Sequence, residues 1–150
     1  MMAAMTTAMV CAGVLALIAG VHFYWALGGD RGKSLAIPVS EQGRAVLKPR
    51  PGATHAVGVA LLVAGAFILA RGGVIGVPAG PGPLAAAADG AIRTVVGLLA
   101  LVFLVRALGW FRYTGFFKQV RDTSFGRYDT WLYCPLCLLL GLALASLVLG

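Results

Sequence analysis

Charged residues are scarce in this sequence, and their scarcity argues against a soluble globular protein. Asp, Glu, Lys and Arg make up 11% of the 150 residues, while 60% are hydrophobic. A soluble domain carries about a quarter charged residues to cover its surface. The charges are also clustered, and the apolar runs between them approach the ~20 residues that cross ~30 Å of hydrocarbon. The composition therefore indicates an integral membrane protein.

Four apolar runs are predicted to span the membrane, at about residues 3–27, 54–70, 91–111 and 130–149. Helices are expected because backbone groups in lipid must be bonded internally, and the runs are too long for barrel strands. Asp89 is expected to cap the third helix. We predict an all-α fold with a single domain over residues 1–150: an integral membrane four-helix bundle with up-down topology.

Small residues recur at four-residue spacing within the runs, and they favour close helix packing in lipid. The same spacing is compatible with a homo-oligomer or with a partner membrane subunit. These stripes are Ala12, Ala16 and Gly20; Ala56, Ala60 and Ala64; and Gly141 and Ala145.

Basic residues are nearly absent from one side of the predicted bundle. The N-terminus lacks the basic segment of a signal peptide, so we expect the first run to be retained. The connection between the second and third runs holds only Arg71 and, at its edge, Arg93. The positive-inside rule then predicts a bacterial cytoplasmic (inner) membrane protein with both termini outside. The remaining basic residues lie on the predicted cytoplasmic side: Arg31, Lys33, Arg44, Lys48, Arg50, Arg106, Arg112, Lys118, Arg121 and Arg127.

The net charge of +7 is explained by this orientation and by attraction to anionic lipid headgroups. No nucleic-acid motif accompanies the basic residues, so membrane lipids are the expected partners and nucleic acid is not. No Asp or Glu lies within any of the four runs, which argues against proton-coupled transport.

The segment after the third run is predicted to form an amphipathic interfacial helix on the cytoplasmic leaflet. At 100° per residue, its aromatic side chains share one face and its polar side chains the other. The apolar face would hold Trp110, Tyr113, Phe116, Phe117 and Val120, and the polar face Thr114, Lys118, Gln119 and Arg121.

Polar residues gather at the predicted cytoplasmic mouth, where we expect a binding site for a lipid headgroup, another small amphiphile or a partner subunit. Arg106 follows the uncharged stretch "TVVGLLALVFLV". An intramembrane arginine indicates a site, with Asp129 as the candidate partner, or it extends to the interface. This leading hypothesis is non-enzymatic and involves no cofactor. The candidate binding residues are His22, Trp25, His55, Arg106, Asp129 and Tyr133.

Cysteine is rare, with three in the chain, but two of them form a C-P-L-C motif at Cys134 and Cys137. Such a pair at a helix N-terminus is typical of a redox dithiol, which makes a membrane thiol oxidoreductase the alternative function. The predicted cytoplasmic location and the distance of Cys11 argue against it. If Asp129 caps the last helix, Pro135 lies in its second turn and the motif forms a kinked helix start.

Haem or metal binding by His22 and His55 is a second alternative, with Cys134 and Cys137 as further candidate metal ligands. The four residues come from three helices, and their spacing beyond the C-x-x-C is not that of a known metal motif.

The motifs "HFYWALGG", "VRALGWFRYTGFFK" and "TSFGRYDTWLYCPLCLLLG", with the proline of "LAIPV", resemble a bacterial family of small four-pass membrane proteins known as a domain of unknown function. The resemblance covers essentially the whole chain and implies a four-helix membrane protein with no established activity. It also implies that the first cysteine of C-P-L-C is not required. The family-like positions are His22, Trp25, Gly28, Pro38, Arg106, Gly109, Gly115, Phe116, Lys118, Phe125, Asp129, Tyr133, Pro135 and Cys137.

Overall fold

Four long helices form the protein in a computed structural model that describes residues 1–40, 42–77, 82–109 and 111–150. The elements in chain order are α1 (Met2–Ala26), α2 (Lys33–Ala36), α3 (Pro51–Arg71), α4 (Pro83–Leu108), α5 (Ser124–Tyr128), a π-helical turn (Asp129–Tyr133) and α6 (Cys134–Leu149). Among the described residues, α1, α3, α4 and the continuous helix Ser124–Leu149 are long and apolar enough to cross a membrane. The predicted integral membrane four-helix bundle is confirmed.

The bundle consists of two antiparallel pairs, α1 with α3 and α4 with α6. Ala12 of α1 lies against Gly65 of α3, and Phe23, nearer the end of α1, lies against Gly58, nearer the start of α3. In the second pair, a side chain added at Gly141 would lie 2.7 Å from Leu104 of α4. Small residues thus bring the helix backbones close together, as expected for association in lipid.

The buried stripes differ from the predicted ones. Ala12, Ala64 and Gly141 are buried, but Ala16 and Ala60 are exposed. The core instead combines small residues with branched ones: Ala8, Cys11, Leu15, Ala64, Ile68, Val96, Ala100, Leu140, Leu144 and Leu147.

The third long helix begins at Pro83 rather than near residue 91, so Asp89 lies inside α4 and does not cap it. Proline is favoured in the first turn of a helix, and the alanines that follow are strong helix formers. Gly82 occupies the N-cap position.

The predicted interfacial helix is wrong: residues 111–123 form turns and bends. Gly115 has a φ of +94°, which a right-handed helix does not allow. The segment closes on itself instead, because Gln119 N and Val120 N both donate to the Arg112 carbonyl, at 3.1 and 3.0 Å. Trp110, which the prediction placed on the apolar face, lies outside the described residues. Lys118, which the prediction placed on the polar face, is only 1% exposed.

The described residues of 27–50 and of 109–123, called here the first and third connections, lie at the same end of the bundle, which we call the basic end. α2, in the first connection, packs against α5 across this end.

Candidate functional site

A buried carboxylate at the basic end collects polar groups from α4, the third connection and α6. Asp129 is fully buried and lies in the π-helical turn. Its Oδ1 accepts from Arg106 Nη2 at 2.6 Å, and its Oδ2 accepts from Gly115 N at 3.0 Å. Lys118 Nζ lies 3.2 Å from the same Oδ2. We call Arg106, Gly115, Lys118 and Asp129 the charge cluster.

Lys118 supplies the internal counter-charge for Asp129. Its ammonium lies against Asp129 Oδ2 and donates to the Gly115 carbonyl at 3.2 Å and to Thr130 Oγ1 at 2.5 Å. Two of the three donors of the ammonium are therefore in hydrogen bonds, and the ion pair with Asp129 adds the third contact. One buried lysine therefore neutralises the one buried aspartate.

Arg106 is a second cation that pairs with the same carboxylate. The predicted pairing with Asp129 is confirmed, although the Arg106 side chain is 31% exposed. The Nη1 atom of Arg106 is buried and has no hydrogen-bond partner among the described residues. The charge cluster therefore carries one excess positive charge and an unused donor.

The helix at Asp129 also differs from the prediction. Thr123 is the N-cap, with its hydroxyl accepting from Gly126 N at 2.9 Å, so the helix begins before Asp129. Asp129, like Asp89 of α4, therefore lies inside a helix long enough to span a membrane but outside the apolar runs that the sequence defines. The Cys134 N–H donates to the Asp129 carbonyl, which is π-helical pairing, directly before Pro135. A π turn at this point accommodates a residue that has no N–H of its own.

A cavity of about 430 Å³ lies beside the charge cluster and has Arg106 in its wall. Three more lining residues, Leu101, Val102 and Val105, belong to α4 and precede Arg106 by up to five positions. At 1.5 Å per residue the cavity therefore follows α4 for roughly 7 Å from Arg106 toward the middle of the helix. Phe111 and Thr114 of the third connection complete it.

The other predicted site residues lie apart from this cavity. His22 and Trp25 line a separate cavity of about 310 Å³ under the first connection. Tyr133 Oη donates to the Leu35 carbonyl at 3.4 Å, which ties α2 to the start of the last spanning helix. The single predicted mouth is thus divided into two sites.

The two histidines have different surroundings. His22 Nδ1 donates to the Ile18 carbonyl at 2.8 Å, and the ring lies 5.5 Å from that of Trp25. His55 is exposed, with its ring 5.1 Å from that of Phe23. The described residues contain no group of three or more His, Cys, Asp or Glu side chains arranged to hold a metal ion.

The two cysteines of the C-P-L-C motif form no disulfide in the structure, and they differ in burial. Cys134 is fully buried, and its thiol donates to Asp129 Oδ2 at 3.4 Å, whereas Cys137 is half-buried. Thiol–disulfide exchange requires access for an attacking sulfur. Cys134 is therefore packed as part of the surroundings of the charge cluster.

Sequence patterns missed two members of the cluster. The helical periodicity assigned Lys118 to a solvated face and gave no role to Gly115. The family resemblance did contain both positions, and that was the available signal.

Comparisons with known proteins add a family but no activity. No curated protein and no solved structure matches the chain. The family described as "Protein of unknown function (DUF3995)" matches residues 15–144, a range that includes the charge cluster and both cavities. The chain belongs to the DUF3995 family of proteins of unknown function.

Proposed function

We propose that this protein is a non-enzymatic membrane protein that binds an anionic amphiphile beside α4, with Arg106 holding the anionic group. The observation that carries the proposal is the buried Nη1 of Arg106, which has no partner among the described residues. A buried donor without an acceptor is costly, and an anion bound there would remove that cost.

The charge balance supports an anion rather than a cation. Lys118 and Arg106 share the single carboxylate of Asp129, so the charge cluster keeps one excess positive charge, and Arg106 is its partly exposed cation. A guanidinium presents several donors in one plane and binds carboxylate or phosphate oxygens through paired hydrogen bonds. Arg106 Nη2 donates to Asp129, and Nη1 has no acceptor among the described residues; a ligand that binds Nη1 has to displace the atoms that cover it.

The cavity beside Arg106 supports an amphiphile rather than a free anion. Leu101, Val102 and Val105 are more than 40% exposed and extend the apolar wall along α4. An acyl chain lying there would run from the charged group toward the bilayer centre, which is the arrangement of a membrane lipid. Acidic phospholipids and fatty acids share this chemistry.

Native mass spectrometry of the purified protein, exchanged into detergent with defined additives, tests the proposal. We expect retention of phosphatidylglycerol or of a fatty acid, and no retention of inorganic phosphate, which lacks a chain. Preferential retention of phosphatidylglycerol or of the fatty acid shows whether the bound anionic group is a phosphate or a carboxylate. Arg106→Gln should weaken retention about tenfold or more, because a hydrogen bond to a charged group contributes ~1.5–3 kcal/mol. Arg93→Gln, on the same helix but roughly 20 Å from Arg106, is the control.

A second variant separates binding from folding. Val105→Trp fills the cavity and leaves the charge cluster intact, so it should also abolish retention. Leu98→Trp places the same bulk on an exposed position of α4 outside the cavity and should have no effect. Unchanged retention in both Arg106→Gln and Val105→Trp would overturn the proposal.

A further inference from the structure

The cavity of about 310 Å³ under the first connection has an anchored cover. Trp25 Nε1 donates to the Arg31 carbonyl at 2.9 Å, and Tyr133 holds the Leu35 carbonyl. Further along the connection, Val39 and Ala45 pair as an isolated antiparallel bridge. The volume lies at the lower end of the range for small-molecule sites, about 300–1,000 Å³.

The polar groups that α1 and α3 contribute to this cavity already donate their hydrogens to backbone carbonyls. The Ile18 carbonyl can only accept, so His22 Nδ1 carries the ring hydrogen, and Nε2 of the neutral ring is an acceptor. The structure gives Nε2 no hydrogen-bond partner within the described part of the chain. Thr54 Oγ1 donates to the Arg50 carbonyl at 3.2 Å, which leaves its lone pairs. The two helices therefore present acceptors to a ligand.

The remaining lining restricts the ligand further. Ile37, Pro38, Leu47 and Val57 provide apolar walls, so most of the ligand must be apolar. Lys33 of α2 also lines the cavity, and its ammonium would repel a cationic donor. A neutral hydroxyl group is the donor that fits both conditions.

We infer that this cavity is a second binding site, for a neutral and mostly apolar molecule whose hydroxyl group donates to Nε2 of His22. The site is chemically the opposite of the one at Arg106, which offers a donor to an anion. No described residue lines both cavities, so the two sites stand or fall separately.

Quenching of Trp25 fluorescence by a brominated alcohol tests this site, because a bromine atom quenches an indole that it contacts. The chain has three tryptophans, so the double variant Trp110→Phe/Trp131→Phe leaves Trp25 as the reporter. The probes are 2-bromodecan-1-ol, whose bromine lies on the carbon next to the one that carries the hydroxyl and so near Trp25 when the hydroxyl binds His22, and its methyl ether, which has the same chain but cannot donate. We expect saturable quenching, with the alcohol bound about fivefold more tightly than the ether, as for one neutral hydrogen bond.

Three further variants, each made in the double variant that retains only Trp25, separate the role of His22 from that of the cavity itself. His22→Phe should remove the preference for the alcohol and leave binding of the ether within about twofold. Ala36→Phe, on the cover, should fill the cavity and remove saturable quenching by both probes. His55→Phe, outside the cavity, is the control and should change neither. Equal affinities for alcohol and ether in the parent background would overturn the inference without any variant, and so would a preference that survives His22→Phe.

Discussion

Lys118 Nζ lies 3.2 Å from Asp129 Oδ2 with both side chains fully buried, so an ion pair removed from solvent joins the third connection to the last spanning helix. Arg106 joins α4 to the same carboxylate. Three segments at the basic end are therefore held together by one acidic side chain. A site built on such a cluster is positioned by charge rather than by apolar contact alone.

Asp129→Asn should destabilise the protein strongly. The change leaves the Lys118 and Arg106 cations without their counter-charge, and breaking a buried pair in this way costs about 3–5 kcal/mol of unfolding free energy. Reversible denaturation in mixed micelles measures it. Asp122→Asn, at an exposed position of the third connection, is the control. Its free energy of unfolding should stay within ~0.5 kcal/mol of that of the unmodified protein. Equal stability of the two variants would contradict the role assigned to Asp129.

Lys118→Met should be less damaging than Asp129→Asn. Methionine retains much of the apolar stem, and Asp129 keeps the ion pair with Arg106. The expected loss is about 1–3 kcal/mol, the cost of leaving buried polar groups without a partner. Lys48→Met, at an exposed position of the first connection, provides the matched control in the same denaturation experiment. A loss larger than that of Asp129→Asn would mean that Arg106 does not compensate the carboxylate.

Gly115→Ala should cost more than the same change at Gly73. Both glycines have positive φ, +94° and +72°, but an added Cβ at Gly115 would also collide with the Gly109 carbonyl, whereas Gly73 has open space. The φ strain alone costs about 1 kcal/mol, and the collision must shift the loop that donates Gly115 N to Asp129. Thermal midpoints of the two variants give the comparison, and equal shifts would refute the close approach.

The four spans could be predicted from the sequence because long apolar runs leave few alternatives in lipid. The start of α4 could not, since Asp89 and Arg93 mark the edge of the apolar run, while the helix extends outward through alanines to Pro83. Hydropathy locates the part of a helix that lies in hydrocarbon. It does not locate the helix end.

The charge cluster was only half predictable for a related reason. The pairing of Arg106 with Asp129 follows from the cost of an isolated intramembrane arginine. The burial of Lys118 depends on the reversal at Gly115 and on a carboxylate further along the chain. Helical periodicity cannot represent either, because it assumes a regular backbone and compares only near neighbours.

Single-cysteine variants should separate the two sulfurs of the C-P-L-C motif. Cys134 is fully buried and bonded to Asp129, so a small maleimide should react with it only after unfolding. Cys137 is half-buried and should react faster in the folded protein. The measurement is the labelling rate by mass spectrometry, before and after denaturation. Rapid labelling of Cys134, or a Cys134–Cys137 disulfide in protein isolated without reductant, would instead favour the thiol oxidoreductase.

The distribution of basic residues predicts which end of the bundle faces the cytoplasm. Exposed sites for new cysteines exist at both ends, Gln42 in the first connection and Gly73 between α3 and α4. In a chain whose native cysteines are replaced by alanine, a membrane-impermeant maleimide added to intact bacterial spheroplasts should label Gly73→Cys and spare Gln42→Cys, because lysine- and arginine-rich connections stay inside. Permeabilised cells should show labelling of both. The reverse pattern in intact spheroplasts would place the charge cluster and the C-P-L-C motif at the outer surface, where an oxidising environment makes thiol chemistry available.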